Sequence, residues 1–340
     1  MLGRSFLTDD DPVPTVKTIK RTTKIYPYAP GNAGTSIGTL LEGHVQPVAP
    51  AEIPETVFVE GSGKAFNTVP QSDFGFFELV NEAVQDAPVG STDPELLGQL
   101  AAIGIVKGEP FEPDERLRHT LDDAAAVGSV TSRALFFDSR ASEDFSYYDG
   151  SGWFNPLWVG GYTFETPPPL VTDDGIKPFP ATGTRKLHSR TSFLYAATGV
   201  TPAMCMRLTG VGSQYLMMAR DAEGELLDGG TSYRLTLPRD IPAARFWSIT
   251  LYDTQTRSML ETPQRFPRAG SQSYPTPAAT ANDDGSTTIV FGPERPTDSP
   301  AENWIQTTES KGWFPILRLY SPLQPFFDKS WRPSEIEPVG

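Results

Sequence analysis

From Ser213 onward the chain reads SQYLMMARDAEGELLDGGTSYRLTLPRDIPAARFWSITLYDTQTRSM, short stretches of alternating character cut by acidic glycine turns. Successive side chains of a strand point to opposite faces. Phe246, Ser248, Thr250 and Tyr252 therefore fall on one side of a strand, and Trp247, Ile249, Leu251 and Asp253 on the other. Turn sequences at residues 221–224, 228–230 and 282–285 separate such runs at roughly ten-residue spacing. This pattern predicts an antiparallel β-sandwich or jelly roll over residues 189–340. The 33 prolines and 30 glycines fit many short strands and loops better than long helices.

Upstream the period changes. Phe76, Phe77, Val80 and Val84 recur at helical spacing, with Ser72 or Asp73 placed to cap the helix. A second helix begins at Asp93 and Pro94, where a missing N–H is harmless, and ends near Gly104. A third starts at Pro113 and Asp114 and shows Leu117, Leu121, Ala124, Gly128 and Leu135 along one face. The expected organisation is multidomain and mainly β. Residues 1–70 are a largely irregular remnant of an N-terminal domain, in which TVKTIKRTTKIYPY forms a short helix or strand pair. Residues 71–145 are a separate α-helical block. Residues 146–188 are an aromatic loop and a proline-rich linker, and the β region begins after about Arg185.

Charge narrows the partners. A net charge of −14 without any Lys/Arg cluster argues against nucleic acid and against an anionic membrane surface. No apolar run approaches the length of a membrane-spanning helix, and the N-terminus MLGRSFLTDDDP lacks the pattern of an export signal, so a soluble chain is expected. The single cysteine, Cys205, lies between Met204 and Met206 with nothing electropositive nearby and reads as an inert buried thiol; a lone thiol fits cytosol or periplasm.

Motif by motif, the familiar chemistries fall away. Residues 60–64 (EGSGK) are too short for a phosphate loop and are followed by Ala65 where a magnesium-binding hydroxyl is needed. The DAEG and NDDG turns lack the later ligands of a calcium loop. GxSxG, HExxH and CxxC do not occur. No metal and no cofactor is expected.

What remains is a constellation on the predicted strands. Of His44, His119 and His188, only His188 lies near the β region and can serve as an acid/base group; His119 falls on the polar side of the third helix. Tyr252 and Asp253 are the other catalytic candidates. Arg257, Asn303, Trp304, Arg318, Tyr320 and Trp331, with Arg332 beside them, are candidates for ligand binding, since Arg and Tyr clamp a carboxylate or sugar and Trp offers a stacking face. The same residues also serve as core and corner residues of sandwiches, and in that structural alternative Arg318 simply pairs with Asp253 across the sheet.

These residues also carry a resemblance. Tyr215, Asp221, Gly224, LDG at 227–229, Tyr233, FWS at 246–248, Tyr252, Asp253, Arg257, DGS at 284–286, Asn303, Trp304, RLY at 318–320 and WRP at 331–333 resemble the C-terminal domain of unknown function numbered 1214, over roughly 190–337. FLTDDDPVPTVKTIKRTTKIYPY resembles the end of the partner domain numbered 1254, and LAAIGIVKGEPFEPD the helical segment between the two. The resemblance implies a bacterial, β-sandwich-rich protein of the periplasm or envelope, with no accepted activity and no site residue whose role can be carried over. Members usually carry a further N-terminal β domain. Its absence here leads us to expect a sheet edge covered by self-association, hence a homo-oligomer.

Two functions fit this reading. One is an enzyme acting on a small polar or anionic molecule in a cleft between the helical block and the sandwich. The other is a non-catalytic ligand-binding or envelope-associated protein that holds a saccharide or lipid-like ligand by aromatic stacking.

Overall fold

The computed structural model describes residues 13–22, 63, 69–87, 90, 92, 94–138, 145–156, 170–172, 175–177, 187–197, 207–274 and 276–339. His44, Cys205 and nearly all of the EGSGK segment lie outside them, as do residues 31–62. The chain divides into two compact units, Met1–Gly128 and Ser129–Gly340.

The first unit holds α1 (Val13–Thr22), α2 (Gly75–Asp86), α3 (Pro94–Ala101) and the start of α4 (Glu115–Phe137). The first of these settles TVKTIKRTTKIYPY as helical at its N-terminal end. Acidic residues stand at these helix starts, although the N-cap of α2 is Phe74 and not Ser72 or Asp73, which precede it. Asp73 Oδ1 accepts the N–H of Gly75 at 2.9 Å, and Asp114 Oδ1 accepts that of Leu117 at 2.7 Å, satisfying donors that the first turn leaves without helical partners. Asp122 on α4 takes the N–H of Phe74 at 2.7 Å and so ties the head of α2 to α4. Phe74 stacks on Phe111 with centroids 5.9 Å apart, and the Arg118 guanidinium covers its ring at 3.9 Å.

The second unit contains β1 (Leu170–Thr172) and β2 (Gly175–Lys177), which pair as a two-stranded ribbon, and then α5 (Leu187–Ala197). There follow β3 (Ser213–Met217), β4 (Tyr233–Leu237), β5 (Ala243–Asp253), β6 (Arg268–Gly270), β7 (Thr287–Gly292), β8 (Trp304–Gln306), β9 (Trp313–Pro322), α6 (Gln324–Phe327) and β10 (Glu337–Pro338). Two four-stranded sheets result, in the orders β3-β9-β5-β6 and β10-β4-β7-β8. The described fold is thus mixed, with substantial sheet alongside six helices, and neither sheet closes into a barrel.

One hydrophobic cluster draws on both sheets. Trp247, Ile249, Leu251, Leu317, Leu319 and Leu216 come from the first, and Tyr233, Leu235, Leu237, Ile289, Phe291 and Ile305 from the second. Within β5 this is the face that the two-residue alternation assigns to the core. The acidic glycine turns are Asx turns. Oδ1 of Asp221 accepts the N–H of Glu223 at 3.0 Å, that of Asp228 the N–H of Gly230 at 2.9 Å, and that of Asp284 the N–H of Ser286 at 2.9 Å. A carboxylate that bonds its own backbone two residues on closes a reversal that a hydrophobic side chain cannot.

Three features differ from the sequence-based expectation. Sheet does not begin at Arg185: residues 187–197 are helical and bury Ser189, Ser192 and Phe193, positions i, i+3 and i+4 of one helical face. The sheets are not wholly antiparallel, because β7 and β8 run parallel, Val290 opposite Trp304. A parallel pair requires a crossover, here residues 293–303, whose prolines and closing 3-10 turn (Ala301–Asn303) lead the chain back to the same end of the sheet. Finally, the described part of the aromatic loop, residues 145–156, packs into the core of the sheets instead of standing outside the β domain as part of a linker. Phe154 pairs with Met217 through both backbone bonds (2.9 and 3.0 Å), and Tyr147, Tyr148 and Trp153 join the main cluster.

Candidate functional site

Alternation leaves the other face of the β3-β9-β5-β6 sheet with a different chemistry. Strand register arranges it in rows. Ser213, Tyr320 and Phe246 form one; Tyr215, Arg318, Ser248 and Gly270 the next; Met217, Ile316, Thr250 and Arg268 the third; and Phe314 with Tyr252 the last. These positions supply two guanidiniums, three phenols and three aliphatic hydroxyls, and no carboxylate. The last row is sealed by a second aromatic cluster, in which Phe136, Phe137, Phe145 and Phe154 pack with Phe314, Met217 and Tyr252.

Arg318 is the centre of the remainder. Half-buried, it donates from Nη2 to the Tyr252 hydroxyl, and its guanidinium carbon stands 5.4 Å from the Tyr252 ring and 5.9 Å from the Tyr215 ring. The Tyr215 hydroxyl is fixed in turn by Ser213 Oγ at 2.7 Å. Tyr320 stacks on Phe246, with centroids 3.9 Å apart and planes at 22°. Arg268 approaches from the edge strand: its Nη2 lies 3.0 Å from the point that a Cβ on Gly270 would occupy, which sets the guanidinium over Gly270, at the edge end of the Tyr215–Arg318–Ser248 row. It bonds the carbonyls of Tyr274 and Gln272 at 3.0 and 3.5 Å, and burial lowers its pKa despite the nearby Tyr320 hydroxyl. A fork of guanidinium N–H groups flanked by phenol and serine hydroxyls can hold a carboxylate or phosphate, with charge-assisted bonds on one side and neutral donors on the other.

Sequence reasoning placed Tyr252, Arg318 and Tyr320 in one constellation, and the structure brings them onto one face. The remaining candidates lie apart from it. Asp253 belongs to the opposite face at the end of β5, and its partner is Lys311, 3.2 Å away, instead of Arg318. The cause is the alternation itself: Arg318 shares a face with Tyr252 and therefore cannot share one with Asp253. Arg257 has a left-handed backbone (φ 59°) and lays its guanidinium 4.1 Å from the Tyr195 ring on α5, with Nε buried and unpaired. Asn303 is consumed by backbone: its amide accepts Thr280 N–H at 2.7 Å and donates to the carbonyls of Thr280 and Thr288 at 2.9 and 2.7 Å. Trp331 is buried in the main cluster, with Nε1 donating to Pro238 O at 3.3 Å, while Arg332 is exposed and pairs with Glu335 at 3.1 Å. His188 is exposed on the first turn of α5.

Tyr215, Ser248, Thr250 and Arg268 were not among the candidates. The first three occupy the same alternating face as Arg318 and were recoverable from periodicity. Arg268 sits on a three-residue strand that leaves no periodic trace.

The Asp253 turn makes a testable statement about pH. Burial alone would raise its pKa, but the N–H groups of Thr256 and Gln255 (2.9 and 2.7 Å) and the ammonium of Lys311 outweigh it, so the carboxyl titrates below its ordinary range. A depressed folded-state pKa gives stability that is present above the unfolded value, about pH 4, and is lost as pH falls through the folded one. Asp253→Asn is therefore expected to cost about 1.5 kcal/mol at neutral pH. In thermal melts, its deficit from wild type should shrink steadily below about pH 4; a deficit constant down to pH 2.5 would refute the assignment.

Besides the sheet rows, two clefts lie among the described residues. One of about 720 Å³ lies in the helical unit against Phe74, Arg118, His119 and Asp122. The other, about 460 Å³, lies by β6 and β8 and includes Trp304 and Arg268. No cluster of potential metal ligands occurs among the described residues, and no described helix is long and apolar enough to cross a membrane.

Comparison with known proteins adds a family on part of the chain. Residues 212–324, from the start of β3 to the start of α6, match the family described as "Protein of unknown function (DUF1214)". The span covers both four-stranded sheets except β10. No curated protein matches the chain. Among solved structures, a protein from Vibrio parahaemolyticus is 17% identical with a TM-score of 0.41, over 88% of this chain and 61% of that one. An uncharacterized protein from Burkholderia cenocepacia is 12% identical with a TM-score of 0.30, over 78% of this chain and 50% of the other. The chain thus spans less than two thirds of either.

Proposed function

We propose that the two sheets act as a β-sandwich scaffold and that the protein binds a small anionic molecule on the outer face of the β3-β9-β5-β6 sheet, with Arg318 as the primary anion contact. The observation behind this reading is electrostatic. In a chain of net charge −14, the described rows of this face carry Arg318 and Arg268 among hydroxyls and no carboxylate. Tyr252, bonded to Arg318, would donate a second hydrogen bond to the same anion or act as the proton donor if the bound molecule is also transformed. The resemblance of the N-terminal stretch to the end of the domain numbered 1254 belongs to the same proposal and would make this unit one part of a paired arrangement.

The test is a thermal-shift panel of small carboxylates and phosphates against neutral analogues of the same shape. At least one anion should raise the melting temperature of the wild-type chain. Arg318→Ala should abolish that rise and leave the unliganded melting temperature within a few degrees, because the side chain is only half-buried. Equal stabilisation of the variant, or none by any anion, would rule the reading out.

A further inference from the structure

The cleft of about 460 Å³ beside β6 and β8 meets the sheet face at Arg268 and is otherwise built from different residues. Its wall includes Gln264, Arg265, Arg268, Thr276, Glu302 and Trp304. The volume lies within the range of small-molecule sites.

Trp304 is presented as a fixed plate. Its Nε1 donates to Gly292 O at 3.1 Å, and Gln264 clamps the local backbone by donating to Trp304 O at 3.2 Å while accepting the N–H of Gln306 at 2.9 Å. With its polar atom already satisfied, the half-exposed indole has only its ring left to offer a ligand. Arg265 is exposed and makes no ion pair among the described residues; its guanidinium stands 5.2 Å from the Phe266 ring. Arg268 bonds only carbonyls, and its Nε, like Thr276 Oγ1, is buried without a hydrogen-bond partner, so this wall holds more polar capacity than the fold uses. Opposite charge is supplied by Glu302, whose carboxylate accepts Thr280 Oγ1 at 2.7 Å and is thereby held below its usual pKa range.

Two cations, one carboxylate and an aromatic plate ask for a particular ligand. The arginines need an anion, Trp304 needs a ring to stack on, and Glu302 needs a hydrogen-bond donor. An aromatic acid supplies the first two but offers Glu302 nothing except like charge. A hydroxylated ring bearing a carboxylate supplies all three. We infer that the cleft beside β6 and β8 is a binding site for an acidic sugar, its carboxylate on Arg265 and Arg268, its ring over Trp304 and a hydroxyl on Glu302. The site shares Arg268 with the anion face but does not include Arg318.

The experiment is calorimetric titration of the Arg318→Ala chain with glucuronate, using glucose as the neutral control and benzoate as the aromatic-acid control. That background removes the principal contact of the sheet face, so the two proposals fail separately. Glucuronate should bind, glucose should bind at least tenfold more weakly, and benzoate should be the weaker of the two acids. Adding Arg265→Ala, an exposed change that does not threaten folding, should weaken glucuronate at least tenfold. Absence of glucuronate binding, equal or tighter benzoate binding, comparable glucose binding, or an unchanged affinity in Arg265→Ala would each overturn the inference.

Discussion

Gly229→Ala is expected to be among the most damaging single substitutions in the chain, although it adds one methyl group. The new Cβ would lie 1.9 Å from Thr308 O and 2.8 Å from Lys311 O, both backbone atoms. Gly229 N–H also donates to Lys311 O at 2.9 Å, and Thr307 Oγ1 donates to Gly229 O at 2.7 Å, so the two segments are held together from both sides. A flexible side chain could move aside; a carbonyl locked in the approach to β9 cannot without dragging the strand. Overpacking of this kind costs about 3 kcal/mol or more when backbone must shift. In a unit of this size that corresponds to a fall of about 6 to 12 °C in melting temperature. Gly128→Ala on α4 is the matched control, since nothing lies within 4 Å of its Cβ position. Replacing a helical glycine there should hold or raise stability by up to about 1 kcal/mol. Equal melting temperatures for the two variants would mean that the Gly229 turn relaxes freely.

How much of this was legible in the sequence depends on whether the deciding interaction is local. Strand β5 was readable because residues 246–253 divide into two faces by two-residue alternation, and the helix starts near Asp73 and Asp114 because a carboxylate there bonds backbone N–H groups within three residues. The turns at Asp221, Asp228 and Asp284 were readable for the same reason. Parallel pairing of β7 with β8 was not, since a three-residue strand carries no periodicity and its direction is set by the crossover before it. The partner of Asp253 was hidden too: Lys311 is distant in sequence and adjacent only once β5 and β9 pair. The candidate site divides in the same way. Arg318, Tyr320 and Tyr252 come together because they obey the two-residue repeat of paired strands, whereas Trp331 and Asn303 looked equally exposed in sequence and are consumed by the core and by backbone carbonyls.

The largest expected effect concerns the segment that sequence reading assigned to a loop outside the β domain. Residues 145–156 carry Asp149, Gly150, Ser151 and Gly152 among their aromatics, a composition that reads as surface, yet Trp153 and Phe154 are 0% and 1% exposed. Long-range bonds hold them. Trp153 Nε1 donates to Ser334 O at 2.8 Å, and the hydroxyls of Tyr147 and Tyr148 donate to Phe326 O and Trp331 O at 2.8 and 3.1 Å. Glu335 closes the clasp by accepting Ser151 Oγ at 2.6 Å and Gly152 N–H at 2.9 Å. The residues after β9 are therefore fastened to a segment that precedes β3, the first strand of the two four-stranded sheets, by more than fifty positions. Truncating one buried Trp or Phe costs about 3 to 5 kcal/mol, and a whole domain is stable by only about 5 to 15. A fragment of residues 185–340, which removes Tyr147, Tyr148, Trp153 and Phe154 together, should accordingly fail to fold. A fragment of residues 129–340 should melt cooperatively with strong near-ultraviolet circular dichroism from its packed aromatics. If the shorter fragment shows the same cooperative transition, residues 145–156 merely cover the sheets and the aromatic clasp contributes little to holding them together.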